Sequence, residues 1–179
     1  MCKRSCHVML MIVASRMKAT QLLTVAAAAI LALAISTPPV SAETLVPFIA
    51  LLNSGQENPP TSSNALGVAF MTFNDDTREL CYDISFTSLV AAERVAHFHA
   101  PAPPGENAGV VFDISPVPSP FGSPKTGCVG PLDKDQSRDL RQGLFYINIH
   151  SEPPLGFPSG EIRGQVLPVR GVKYRIDDD

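Results

Sequence analysis

The chain has 179 residues, a formal net charge of −3 and 17 prolines. This length suits one domain of ordinary size with a segment to spare. The many prolines argue against a helix bundle, and the acidic balance without a basic patch argues against a nucleic-acid-binding protein.

The N-terminus has the pattern of a secretory signal peptide. Met17 and Lys18 give a short basic start, an apolar run covers residues 22–35, and small residues precede a cleavage site after Ala42. The apolar run has about 14 residues, fewer than the roughly 18–20 that span a bilayer, which favours a cleaved signal over a membrane anchor. We therefore predict a signal peptide over 1–42, with Met17 as an alternative start.

Cleavage would leave an exported chain, secreted or periplasmic, with no membrane span. It would remove four basic residues and leave ten against 17 acidic ones, a net charge of −7. Nucleic acid is therefore not expected as a partner. We predict one domain over 43–172 and a disordered acidic tail over 173–179.

Cys81 and Cys128 are the two cysteines that remain after cleavage. Export makes a disulfide between them the expected arrangement. It would close a loop of about 48 residues, which corresponds to about 3–4 kcal/mol of stabilisation from chain entropy. Two buried free thiols or two soft metal ligands are the alternatives.

Short runs with alternating apolar and polar residues predict β-strands along the exported chain. The candidate strands are residues 44–53, 65–74, 78–89, 93–100, 109–114, 143–150 and 160–168. Only residues 133–143 have helical spacing, with Asp133 as N-cap and Gly143 at the end. The predicted fold class is all-β: an antiparallel two-sheet Greek-key or immunoglobulin-like β-sandwich with one short helical segment.

All three histidines of the exported chain lie on polar rows of predicted strands. Because alternate residues of a strand face opposite sides, placing Phe98 in the core turns His97 and His99 to the other face. His150 lies on a similar row of the strand 143–150. If the strands share one sheet, a polar group gathers on its outward face: His97, His99, Tyr146, Asn148, His150, Glu161 and Arg163.

Two interpretations of this polar group stay open from spacing alone. Three neutral imidazoles can bind copper or zinc, with copper(II) favoured by the affinity order. In that case His97, His99 and His150 are the ligands. Tyr146, Asn148 and Glu161 would orient the rings while Arg163 tunes the charge. Alternatively the histidines are incidental, and Glu161 and Arg163 form a solvated ion pair on an exposed sheet face.

Four stretches of the chain resemble a CHRD domain, a module named after the extracellular protein chordin and also found in bacterial secreted proteins. They are "LNSGQENPPTSSNALGVAFMTF", "LCYDISFTSL", "VAHFHAPAPPGENAGVVFDI" and "LRQGLFYINIHSEPPLGFPSGEIRGQV", and the resemblance covers about residues 45–167. It implies a β-sandwich related to immunoglobulin-like folds and no settled activity for bacterial-type members. Its recurring polar residues are His97, His99, Asn148, His150, Glu161 and Arg163.

Three function classes follow from these patterns. The first is a metal-binding exported protein. The second is a non-catalytic extracellular or envelope interaction module that uses loops 100–109 and 151–159. A weaker similarity to copper/zinc superoxide dismutase rests on the His-x-His, but a fourth copper histidine and the zinc loop are missing. A hydrolase has little support, because no serine-nucleophile motif is present and neither remaining cysteine lies beside a histidine in sequence.

Overall fold

The computed structural model describes residues 43–116, 120–172 and 174–176. The predicted signal peptide lies outside the described residues. Residues 174–176 of the predicted tail form a short strand, and the rest of that tail lies outside the described part of the chain.

Most of the regular elements in the described chain are β-strands. Its strands are β1 (Glu43–Asn53), β2 (Leu66–Asn74), β3 (Leu80–Thr87), β4 (Glu93–His99), β5 (Val110–Asp113), β6 (Lys125–Val129), β7 (Tyr146–Ser151), β8 (Ile162–Gln165), β9 (Leu167–Pro168) and β10 (Tyr174–Ile176). One α-helix, α1 (Lys134–Arg141), and one 3-10 turn, Ser54–Gln56, complete the elements of the described residues. Each predicted strand is present with shifted ends, and the predicted strand 160–168 is divided into β8 and β9, whereas β6 and β10 were not predicted.

All strands pair antiparallel in one sheet, in the order β5-β4-β7-β8-β1-β2-β3-β6, with β9 and β10 also on β1. The all-β antiparallel prediction is therefore confirmed. Two separate sheets are not confirmed, because β1 belongs to both halves of the structure. It pairs with β2 along its length and with β8 where Asn53 meets Arg163.

The sheet curls until its inner faces enclose one core, which gives a nearly closed, barrel-like shape. β3 and β4 stand far apart in the sheet order, yet the rings of Tyr82 and Phe98 meet with centroids 5.7 Å apart. Both side chains are buried. The predicted inward faces of β4 and β7 are confirmed, since Phe98, Ile147 and Ile149 all have no exposed surface.

Helix α1 forms where the sequence predicts it. The Asp133 side chain accepts a hydrogen bond from the Gln136 amide at 2.8 Å, and the Gln136 side chain accepts one from the Asp133 amide at 3.0 Å. This capping box satisfies two amides of the first turn. Leu140 is fully buried and attaches the helix to the core, and Gly143 follows with a φ of +73°.

Strand β6 was missed because a buried charge interrupts its pattern. Lys125 opens the strand with no exposed surface, and its ammonium lies 2.8 Å from Glu93 Oε1. The Glu93 carboxylate also accepts bonds from the Ser115 hydroxyl and the Gly122 amide. A buried ion pair survives only with this kind of full hydrogen bonding, which no period-two pattern reveals.

The Cys81–Cys128 disulfide joins residues that face each other on β3 and β6, as predicted. We expect reduction to lower the free energy of unfolding by about 3–4 kcal/mol, because the loop closed by the bridge constrains the unfolded chain. Urea unfolding with and without a thiol reductant measures this loss.

The double variant Cys81→Ala/Cys128→Ala is the control, since it lacks the bridge with and without reductant. It should match the reduced protein and should not respond to reductant. An unfolding midpoint of the parent protein that ignores reductant would contradict the predicted stabilisation.

Candidate metal centre

Strands β4 and β7 bring the three imidazoles together on the outer face of the sheet. The two strands are neighbours, with Val95 opposite His150 and His97 opposite Asn148. Phe98 and Ile149 fill the core. Because neighbouring residues of a strand face opposite sides, the histidines next to them on β4 and β7 turn outward. His97 and His99 are half-buried, and His150 is buried.

The imidazole nitrogens lie within reach of a single ion. One ring nitrogen from each of His97, His99 and His150 lies within 4.8 Å of the others. Such atoms share a point no more than about 2.8 Å from each (4.8 Å divided by √3). Zinc–nitrogen bonds are about 2.0–2.1 Å long, so small ring movements bring all three nitrogens to bonding distance.

Two backbone carbonyls fix the proton positions on His99 and His150. His99 Nδ1 lies 3.0 Å from the Ala108 oxygen, and His150 Nδ1 lies 3.1 Å from the Pro158 oxygen. A carbonyl can only accept, so each Nδ1 carries the proton and each Nε2 keeps its lone pair. This carbonyl-held tautomer is typical of histidines that bind metal.

The lone pairs on the two Nε2 atoms have different surroundings. His150 Nε2 lies 3.3 Å from His97 Nδ1, so these two nitrogens share a hydrogen bond. His99 Nε2 is buried and has no hydrogen-bond partner among the described residues. A buried polar atom without a partner costs free energy, and a metal ion at the shared point would supply one.

Tyr146 and Arg163 form a stack against His99. The Tyr146 ring lies parallel to the His99 ring within 2°, with centroids 4.7 Å apart. On Tyr146 rests the guanidinium of Arg163, 3.4 Å from the ring centroid. The Tyr146 hydroxyl donates to the Ala108 oxygen, which also accepts from His99. Tyr146 therefore positions the imidazole both by stacking and through this shared carbonyl.

Asn148 connects the site to Glu57, a residue that sequence reasoning missed. The Asn148 amide donates to Glu57 Oε1. Burial raises the pKa of Glu57 to about 7, against the smaller lowering effects of Arg163 and of Asn148. Glu57 stands in a loop, where no strand period marks it, and its only sequence signal is that it falls inside one of the stretches that resemble the CHRD domain.

Glu161 lies apart from the histidines and does not form the ion pair with Arg163 that was one interpretation of the sequence. Its Oε1 atom accepts from the Ser63 hydroxyl at 2.5 Å and from the Val90 amide at 2.9 Å. Oε2 is buried without a hydrogen-bond partner in the described chain. Glu161 thus holds the loops of Ser63 and Val90 to the start of β8.

The polar face is covered, whereas the sequence predicted it to be outward and exposed. Asn148 and Arg163 are only 4% and 1% exposed. Two loops lie over them, and these loops are joined by bonds from Asn58 to the Gly105 oxygen at 2.7 Å and from Asn107 to the Asn58 oxygen at 2.9 Å. Alternation gives the face of a strand but says nothing of the loops that fold across it.

Burial also favours the neutral form of the three imidazoles. Desolvation lowers the pKa of His97, His99 and His150 below the usual 6.5. Asp113 opposes this lowering at His97, and the backbone carbonyls oppose it at the other two rings. At neutral pH the site therefore offers uncharged nitrogens, which is the form that binds metal.

Comparison with known proteins identifies a family but no individual relative. The family model described as the CHRD domain matches residues 48–166. This range includes Glu57, all three histidines and the residues stacked against them. No curated protein and no solved structure matches the chain.

Gly160 should be hard to replace, because a side chain there meets both backbone strain and close neighbours. Its φ is +128°, and a Cβ there would lie 2.7 Å from Asn148 Nδ2 and 2.9 Å from Glu57 Oε2. Gly105 is the matched control, because its φ is +85° but nothing lies within 4 Å of its added Cβ. We expect Gly105→Ala to cost about 1–2 kcal/mol from backbone strain, and Gly160→Ala about 1–3 kcal/mol more from the clash. Urea unfolding measures both, and equal losses would contradict the role of the clash.

The histidines and Glu57 should give opposite pH dependences of stability. The pKa of each histidine is lower folded than unfolded, so their contribution is full above 6.5 and is lost as pH falls through lower values. The pKa of Glu57 is raised from 4.5 to about 7, so its contribution is full below 4.5 and is lost as pH rises to about 7. In Glu57→Gln protein we expect the free energy of unfolding to fall more steeply below pH 6.5 than in the parent. Identical pH profiles of the two proteins would contradict this.

Proposed function

The chain belongs to the CHRD-domain family, and we propose that it is an exported protein that binds one transition-metal ion through His97, His99 and His150. The observation that carries the proposal is that three imidazoles each bring one ring nitrogen within 4.8 Å of the others, and that His99 Nε2 is buried with no hydrogen-bond partner among the described residues. Neutral, carbonyl-held rings give this group the donor chemistry of a metal site.

Copper(II) is the ion we favour, with zinc as the alternative. Imidazole suits both metals, and the general affinity order places copper(II) above zinc. Three nitrogen ligands leave a coordination position open, as in metal sites that bind a further small molecule. The half-buried His97 forms the more exposed side of the group.

We assign supporting roles to the polar residues around the ligands. Tyr146 holds the His99 ring, and Asn148 and Glu57 hold the loop over the face. Arg163 adds positive charge next to Tyr146, which opposes protonation of His99. Glu161 supports the site only through the loop that carries Ser63 and through the Val90 amide.

Export has two independent supports. The N-terminal pattern is that of a secretory signal, and the Cys81–Cys128 disulfide is a bond typical of oxidising compartments. The described residues contain no helix of the length and hydropathy needed to cross a membrane. If export occurs as proposed, the N-terminal residue of the exported product should be Glu43, which N-terminal sequencing would test. Recovery of only the unprocessed chain would contradict it.

The other function classes have weaker support. A metal-free interaction module would use loops 100–109 and 151–159 as its surface, and it requires that the histidine group bind no ion. Superoxide dismutase activity remains a remote alternative, since only three histidines follow the predicted cleavage site.

Metal titration tests the proposal directly. We expect copper(II) to bind the parent protein in a one-to-one ratio and more tightly than zinc. His97→Ala, His99→Ala and His150→Ala should each lose roughly a hundredfold or more in copper affinity, because each removes one of three ligands. Isothermal titration calorimetry with a competing chelator measures these constants.

Tyr146→Phe is the matched control, since it keeps all three ligands and removes only the hydroxyl that contacts the Ala108 oxygen. Loss of an outer contact of this kind costs about 10–100-fold in metal affinity, so its effect should be smaller than that of the histidine variants. No copper binding by the parent protein, or unchanged affinity in the His150→Ala variant, would overturn the proposal and favour the interaction module.

A further inference from the structure

A cavity of about 490 Å³ lies beside the histidine group, between the loop segments 57–62 and 156–160. Its volume is within the range of small-molecule sites in proteins, about 300–1,000 Å³. None of the three histidines lines it. The cavity is therefore separate from the proposed metal site, although the two share a wall.

Most of the cavity wall is apolar and rigid. Pro59 and Pro60 form one side, and Phe157 and Pro158 form the other. Proline rings and a half-buried phenyl ring offer flat surface for an alkyl or aromatic group, and a phenyl face also attracts cations.

Glu57 is the charged group of this cavity, and no described residue forms an ion pair with it. The Asn148 amide donates a hydrogen bond to Oε1 of Glu57, and Oε2 makes no hydrogen bond within the described chain. Oε2 lies against Gly160, whose lack of a side chain lets the carboxylate occupy this position: an added Cβ would come within 2.9 Å of it.

The positive charge of Arg163 acts on Glu57, but the Arg163 guanidinium makes its direct contacts with other residues. It stacks on Tyr146 and donates to Asn107, and none of its nitrogens lies within the 4.0 Å of Glu57 that defines an ion pair among the described residues. Its field lowers the pKa of Glu57 less than burial raises it. The carboxylate therefore gains from any cation that reaches Oε2.

We propose that this cavity binds a primary amine carried on an alkyl or aryl stem, with its ammonium on Glu57 and its stem between the proline pair and Phe157. A charge-assisted bond to the carboxylate would compensate the desolvation that Glu57 suffers in the fold. The apolar walls would bury the stem, and the net charge of −7 on residues 43–179 attracts cations to the domain.

The chemistry of the walls sets what should be rejected. A carboxylate on the same stem would be repelled by the like charge of Glu57. An alcohol would make the apolar contacts with the cavity walls but could not form the ion pair. Binding should therefore rank benzylamine above benzyl alcohol, and benzyl alcohol above phenylacetate. These three probes have stems of similar size and differ mainly in charge.

The test uses the whole protein with a chelator present, so that no metal takes part. Amide shifts of Phe157 and Gly160 in ¹H–¹⁵N NMR spectra follow each probe through a titration. We expect saturable shifts with benzylamine, an affinity roughly tenfold or more lower for benzyl alcohol, and no saturable shift with phenylacetate. Equal affinity for the three probes, or no saturable shift with benzylamine, would overturn the proposal.

Glu57→Gln and Glu79→Gln form a matched pair of variants. Each removes one carboxylate charge, but Glu79 lies outside the cavity and exposes its side chain. Benzylamine affinity should fall about tenfold or more in Glu57→Gln and stay unchanged in Glu79→Gln. Equal losses of benzylamine affinity in both variants would show that only the net charge of the protein matters, and would overturn the proposed site. Because the protein is metal-free throughout, the result does not depend on whether the histidines bind an ion.

Discussion

The pairing of β4 with β7 is the constraint on which the rest of the structure depends. Phe98 opposite Ile147 places two apolar side chains in the core at the same level of the sheet. Their burial stabilises the fold by several kcal/mol. Because side chains alternate along a strand, the residues on either side must then point to the outer face of the sheet. A slip of one residue would exchange the imidazoles for phenyl and aliphatic groups on the outside, so the geometry of the histidine group is set by hydrophobic packing and not by attraction among the histidines.

Covering the polar face has a cost that the fold meets with hydrogen bonds. Arg163, Asn148 and Gln165 are nearly inaccessible, and each bonds to a loop that crosses the sheet. A buried polar group without such a bond would be destabilising by about 1–3 kcal/mol. Against this background His99 Nε2 is unusual, because among the described residues only it, the Tyr82 hydroxyl and Glu161 Oε2 are buried side-chain polar atoms without a hydrogen-bond partner. Polar atoms that the fold leaves unsatisfied are where a ligand gains most.

The sequence predicted what depends on local periodicity and missed what depends on long-range contacts. Alternation gave the inward Phe98 and the outward histidines, Asp133 gave the helix start, and the cysteine pair gave the disulfide. Periodicity could not show that β1 joins both halves into one sheet. That depends on the pairing of Asn53 with Arg163, two residues that lie far apart in the sequence. Nor could it find Glu57, whose contact with Asn148 spans 91 positions and has no period.

The loop segment 156–160 links the two candidate sites physically. Pro158 gives its carbonyl to His150 Nδ1, and so sets the tautomer of a proposed metal ligand, while its ring helps to line the cavity. Gly160 leaves space for Glu57, whose other oxygen holds Asn148 on β7. A molecule packed against Phe157 would therefore restrain the same backbone that orients His150. Two ligands that order one segment favour each other's binding, even when they do not touch.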